Sequence, residues 1–194
     1  MIRGPFQHDE CSSALNTNKY VDWKKDNSAD VSCHIDYGLL DKVDNTKKNY
    51  GWICESSAIV PSVIKEVVKN KQIYKKKFKY IFTCDSRVVN VDRQFFKFTM
   101  PSALPWIQNR QIYKKTKLVS FIGSNKKMCK GHLYRQKMIE KYKDKVDHYG
   151  RGFKDKELPW MIEKESGKIL GLKDYMFSFA MENTNHEYAF CEKT

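Results

Sequence analysis

Apolar positions recur along the chain with two periods, and the alternation between them sets the expected elements. Tyr50-Gly-Trp-Ile-Cys-Glu55 reads as a short strand ending on an acid. Pro61 then opens a helix carrying Val63, Ile64, Val67 and Val68 on one face, proline being favoured in a first turn. Phe78-Lys-Tyr-Ile-Phe-Thr83 alternates as a strand and gives way to Asp85. Strand, helix and strand within about 35 residues have the size of a βαβ unit. A second set follows Pro101 and Pro105, where a linker between domains is expected. Lys117-Leu-Val-Ser-Phe-Ile122 is nearly continuous in apolar character, as a parallel strand buried on both faces requires. Residues 132–143 have helical spacing, with Leu133, Met138, Ile139 and Tyr142 as inner positions. Val146-Asp-His-Tyr149 reads as a strand closed by Gly150-Arg151-Gly152, and Tyr175-Met-Phe-Ser-Phe-Ala-Met181 as a strand ending at Glu182-Asn183. Apolar strands alternating with amphipathic helices predict an α/β layered fold.

Open parallel sheets bind ligands beyond the carboxyl ends of their strands. Reactive side chains gather at those predicted ends: Glu55, Asp85, Ser124, Asn125, Arg151, Glu182 and Asn183. Arg135 falls in the first turn or so of the 132–143 helix, where free N–H groups and the helix dipole favour an anion. It either completes a phosphate site or pairs with Glu140 at the surface. Lys126, Lys127 and Lys130 precede the same helix. Glu192-Lys193, taken alone, reads as a solvated pair.

Composition narrows the chemistry. The 194 residues include 36 basic and 23 acidic side chains, a net charge of +13. The excess lies in the middle: residues 47–109 hold 12 basic and 4 acidic, and residues 110–156 hold 15 and 4. Such a zone suits a polyanion, a membrane surface or a diphosphate. No apolar stretch approaches the roughly 18 residues of a membrane span, and nothing suggests a cleaved signal peptide. No two of the 6 cysteines lie within 20 residues, so neither a zinc pattern nor a thioredoxin-like pair is present, and reduced thiols are expected. The sequence lacks both a dinucleotide glycine fingerprint and a Walker loop. No D-x-D pattern occurs for holding a metal against a nucleotide-sugar diphosphate, so Arg and Lys would have to balance that charge.

Lys117 to Asn125, Arg135, Val146-Asp-His-Tyr-Gly-Arg-Gly152, Lys173-Asp-Tyr-Met-Phe-Ser-Phe-Ala-Met-Glu-Asn-Thr184 and Glu192-Lys193 occur in that order. The series resembles the donor-domain signature of the α-1,3/4-fucosyltransferases, which reads V-S-N, an arginine on a helix, V-D-x-Y-G-R, F-E-N-S and T-E-K. Upstream, Trp52-Ile-Cys-Glu-Ser-Ser57 resembles the W-x-x-E-S-P element of that family, with Ser57 in place of proline. Tyr188 lies one residue before the usual tyrosine position, which Ala189 holds. The resemblance covers roughly residues 50–194.

It implies a GT-B-like architecture of two Rossmann-like parallel-sheet domains. Residues 1–110 would form the acceptor-side domain and residues 111–194 the donor domain, the latter incomplete because the chain stops at Thr194. It implies inverting, metal-independent transfer of fucose from GDP-fucose to a glycan hydroxyl, without a cofactor. Glu55 would be the general base, and Arg135 and Lys193 would balance the departing diphosphate. Glu192 would bind fucose or ribose hydroxyls, with Glu182, Asn183, Ser124, Asn125, Arg151 and Tyr188 shaping the donor pocket. The partners expected are a nucleotide sugar and a glycan, not nucleic acid. The location expected is cytoplasmic, in a microbe or virus, or the Golgi lumen for a eukaryotic fragment. A homologue that binds the donor without catalysis, and a basic nucleic-acid binder, are the alternatives.

Overall fold

A computed structural model describes residues 2–3, 24, 28–99, 111–159, 161–162 and 165–185. The chain is mixed α/β with two parallel sheets, and its described residues divide into two compact units, one of residues up to 99 together with Asn185 and one of residues 111–184. Among the described residues, no helix is long and apolar enough to cross a membrane.

The first unit holds strands β1 (Ile2–Arg3), β2 (Val31–Ile35), β3 (Lys48–Ile53), β4 (Tyr80–Thr83) and β5 (Phe96–Phe98). They pair in sequential order and all in parallel. A 3-10 turn (Asp36–Leu40) follows β2, helices α1 (Pro61–Lys69) and α2 (Lys71–Lys77) join β3 to β4, and α3 (Ser86–Val91) joins β4 to β5. Register explains the core. Gly51 pairs with Ile81, Ile53 with Thr83, and Ile81 with Phe96, so these residues share one face. Leu39, Val63, Val67, Tyr74 and Val88, from the turn and all three helices, pack into one cluster with Ile53, Ile81 and Phe96. A sheet whose order rises without reversal directs right-handed crossovers to one face, and the described ones lie there.

The expected α1 begins at Pro61, with Val63 and Val67 fully buried. Strand β2 has no counterpart in the sequence reading. Its core-side residues are Ser32 and His34, both buried, so polar groups occupy the positions where the alternation should be apolar. His34 is accommodated because Nδ1 lies 3.1 Å from Gly38 O and Nε2 lies 3.3 Å from Asn49 Oδ1.

The second unit holds β6 (Lys117–Ile122), α4 (Lys130–Tyr142), β7 (Asp147–Tyr149), the antiparallel pair β8 (Met161–Ile162) and β9 (Glu165–Ser166), a 3-10 turn (Gly167–Gly171) and β10 (Tyr175–Phe179). Its parallel sheet has the order β10-β6-β7, with β6 in the centre. Two expectations change here. Leu118 is 62 % exposed, so β6 is not buried on both faces throughout. Leu133 is 46 % exposed, whereas His132 and Arg135 are the buried residues of α4. The reason is local: the first half of α4 lies against polar backbone at the strand ends. Its second half meets apolar surface, where Met138, Ile139 and Tyr142 line a small pocket with Phe121 and Phe179.

Candidate functional site

Two clusters of polar side chains stand at carboxyl edges, one in each unit. In the first unit β3 ends at Ile53 and the chain turns out over the edge through Cys54, Glu55 and Ser56. Glu55 is exposed there. Its backbone is held by Asp36, the residue just beyond β2, whose Oδ1 accepts from the N–H groups of Cys54 (2.9 Å) and Glu55 (3.2 Å). Asp36 is 2 % exposed and sits in the left-handed region at φ 47°, which aspartate tolerates better than most residues. Burial pushes its carboxyl up to about 6, helped by the Glu55 charge and opposed by the two N–H bonds. Ser56 O accepts from Ile59 and Val60 N–H (2.8 and 3.0 Å), turning the chain into α1.

Beside this loop, Asp85 ends the next strand. It caps α3 by accepting from Arg87 N (3.0 Å), and its carboxylate takes a forked guanidinium, Nε at 3.0 Å and Nη2 at 2.6 Å. The Asp85 hydrogen bond holds the Arg87 guanidinium above its ordinary range. The same Nη2 donates to Ser57 Oγ at 2.5 Å. Ser57, which replaces the proline of the resembled motif, is thus tied to a buried aspartate through an arginine. Burial raises the thiols of Cys33 and Cys84 to about 11, and that of Cys54 further, so all three are protonated at neutral pH.

In the second unit the strand order reverses at β6: β7 lies on one side and β10 on the other. Such a reversal opens a crevice beyond the carboxyl ends of the two strands it separates. Gly123-Ser124-Asn125 leaves β6 at that point. Gly123 N–H donates to Tyr149 O (2.8 Å), and Asn125 N–H donates to Arg151 O (3.1 Å). Asn125 Nδ2 donates to Gly152 O (3.0 Å), and Gln136 of α4 donates to Asn125 O and Lys126 O (2.9 and 2.7 Å). His148 Nε2 lies 3.0 Å from Gly123 O, and burial lowers its affinity for a second proton. Gly150, at φ 155°, packs so close to Gly123 O that any Cβ would collide with it.

Arg135 joins α4 to the loop after β10. Its Nη2 donates to Met181 O (2.9 Å) and Asn183 Oδ1 (2.8 Å), and the residue is 3 % exposed. Cys129 Sγ donates to Asn183 O (3.5 Å), and Gly131 lies against the Asn183 backbone. Ser124, Glu182 and Asn183 are half-buried, while Asn125, Arg151, Lys126, Lys127 and Lys130 are exposed around them. Of the expected site residues, Ser124, Asn125, Arg135, Arg151, Glu182 and Asn183 lie at this carboxyl edge, and Glu55 lies at the edge of the first unit's sheet. Tyr188, Glu192 and Lys193 lie outside the described residues.

Sequence reasoning missed Asp36, which follows an unrecognised strand, and the Asp85–Arg87–Ser57 link. It also left Asp147, Tyr149 and Tyr175 without a physical role. Tyr175 Oη donates to Asp147 Oδ2 (2.6 Å), accepts from Lys117 Nζ (3.1 Å) and lies 2.7 Å from Tyr149 Oη. These hydrogen bonds tie β6, β7 and β10 together. No family model, curated protein or solved structure matches the chain.

Proposed function

We propose that the protein is an inverting, metal-independent glycosyltransferase of GT-B type, moving fucose from GDP-fucose to a hydroxyl of a glycan. The observation that carries this reading is the reversal of strand order at β6 in the second unit. The three segments that resemble the fucosyltransferase donor signature meet there, at the ends of β6, β7 and β10, with Arg135 behind them. A nucleotide diphosphate at that edge would meet the exposed Lys126, Lys127, Lys130 and Arg151, which supply positive charge in place of a metal.

Glu55 is the base of this mechanism. Its exposed carboxylate takes the proton of the acceptor hydroxyl, and the acceptor oxygen bonds to the anomeric carbon on the face opposite the diphosphate. The bond from that carbon to the diphosphate oxygen breaks, and GDP departs with the electron pair. Arg135 shapes the donor side by holding Asn183, and Lys193 and Glu192 are assigned to the diphosphate and the sugar hydroxyls.

Thermal-shift screening against GDP-fucose, GDP-mannose and UDP-sugars tests donor choice. A donor at about 100 times its Kd stabilises a binding protein by about 2.7 kcal/mol, and GDP-fucose alone is expected to do so. Glu55→Gln should keep that shift and lose turnover by about 10²–10⁴-fold. Binding without turnover, unchanged in Glu55→Gln, would make the chain a donor-binding protein; no GDP-fucose binding at all would end the reading.

A further inference from the structure

The Asp36 carboxyl group divides its two oxygens unevenly. Oδ1 accepts both the Cys54 and the Glu55 N–H, whereas Oδ2 is fully buried with no hydrogen-bond partner among the described residues. A desolvated carboxyl with an unmatched oxygen is costly, and the left-handed backbone at φ 47° adds strain. Costs of both kinds persist at one residue when the surroundings over-determine it, and they concentrate at functional positions. Both hydrogen bonds of Asp36 end on the two residues that carry the chain out of β3, one of them the exposed acid at the edge.

We propose that Asp36 is the positioning residue of Glu55: a clamp from the end of β2 that fixes the strand-end backbone and thereby aims the Glu55 carboxylate. This assignment rests on reading Glu55 as the base. Asp36 touches no substrate and acts only through the backbone of its neighbour. A base displaced by about 1 Å loses about 10²-fold in rate while substrate binding is spared, because proton abstraction depends on distance far more steeply than donor affinity does. The titratable groups around Asp36 are Glu55 and Cys54 at the end of β3 and Cys84 at the end of β4. Both cysteines are protonated at neutral pH, which leaves Glu55 as the charge that interacts with it.

Two measurements on the full chain decide the matter. In amide NMR, the Cys54 and Glu55 N–H signals of the wild type should share an inflection with pH near that of the Asp36 carboxyl. That inflection should vanish in Asp36→Asn, which keeps an acceptor oxygen but cannot ionise. Kinetics with GDP-fucose and a glycan acceptor should show Asp36→Ala losing about 10²-fold in kcat with KM for GDP-fucose changed less than about twofold, and Asp36→Asn regaining most of that loss. Absence of the shared inflection overturns the clamp whether or not Asp36→Ala folds. Equal losses in Asn and Ala, with KM rising in step, would make Asp36 a merely structural residue and overturn the positioning role. If the wild type turns over no GDP-fucose yet the two amides titrate as described, the clamp stands and the reading of Glu55 as a base falls.

Discussion

At pH 7 the Asp36 carboxyl is ionised in surroundings that disfavour its charge, and this has a measurable sign. Its folded-state value, raised to about 6 from 3.8, means that the folded chain binds the proton more tightly than the unfolded chain. The associated stability is present in full below the unfolded value and is lost as pH rises through about 6. A shift of this size corresponds to roughly 3 kcal/mol between the two ends of that window. Asp36→Asn has no proton to bind. The difference in unfolding free energy between wild type and Asp36→Asn should therefore fall by that order between pH 4 and 7, read by urea titration at each pH. A flat difference would place the ionisation elsewhere. Tyr175 gives a second test at the same scale. Its hydroxyl serves Asp147, Lys117 and Tyr149 at once, and the hydrogen bond to Asp147 holds that acid below its ordinary range. Tyr175→Phe should cost about 1–2 kcal/mol, since Asp147 and Lys117 remain open to water and regain part of what they lose.

Among the elements, those legible in the sequence are the ones whose pattern is decided locally. Strand β6 has the expected bounds, Lys117–Ile122, because a run of large apolar residues ends at glycine. Helix α1 starts at its proline. Strand β2 was not legible, because its inward residues are Ser32 and His34, and the acceptability of His34 depends on Gly38 and Asn49, which only the fold brings near. Helix α4 was legible in position but not in orientation. Apolar spacing marks Leu133 as inner, yet the edge it meets is made of carbonyls, and the arginine two residues on is what fits there. The candidate site shows the same division. Strand-end positions were readable, whereas Asp36 and the Arg87 link depend on contacts between strands. Arg135 thus has a structural effect that its sequence position does not disclose. Arg135→Met removes the donor to Met181 O and Asn183 Oδ1 and should destabilise the second unit by roughly 2–4 kcal/mol. Arg135→Lys should recover less than half of this, because a strongly hydrated ammonium costs more to bury here than the delocalised guanidinium whose Nη2 makes both bonds. If Arg135→Lys matches the wild type in denaturant unfolding and only weakens GDP-fucose, the arginine acts on ligand alone.

For the molecule as a whole, the charge and the core are distributed unequally, and both bear on how it unfolds. The first unit is built on a continuous cluster that runs from Leu39 to Phe96 and draws on three helices, a turn and the sheet. In the second unit the buried apolar residues among those described are Phe121, Cys129 and Tyr175, while Ser120, His132, Arg135, His148 and Ser166 are buried polar groups. Apolar burial contributes about 25 cal/mol per Å², whereas a satisfied internal hydrogen bond contributes only about 1 kcal/mol net. The second unit therefore gains less from folding than the first. It also lies in the more basic half of the chain, with 15 basic against 4 acidic residues over 110–156, and mutual repulsion weakens it further at low salt. Unfolding should proceed in two steps, with amides of β6, β7 and β10 exchanging before those of β3 and β4 under native conditions. On the proposed reading, a diphosphate seated at the β6–β10 edge would neutralise charge and bind only the folded second unit. GDP-fucose should then raise the first step toward the second and leave the second where it is, and added salt should raise the first step without ligand. Hydrogen exchange with and without GDP-fucose measures both. A single cooperative transition, or protection gained in β3 and β4 rather than in β6 and β10, would remove the donor from the second unit.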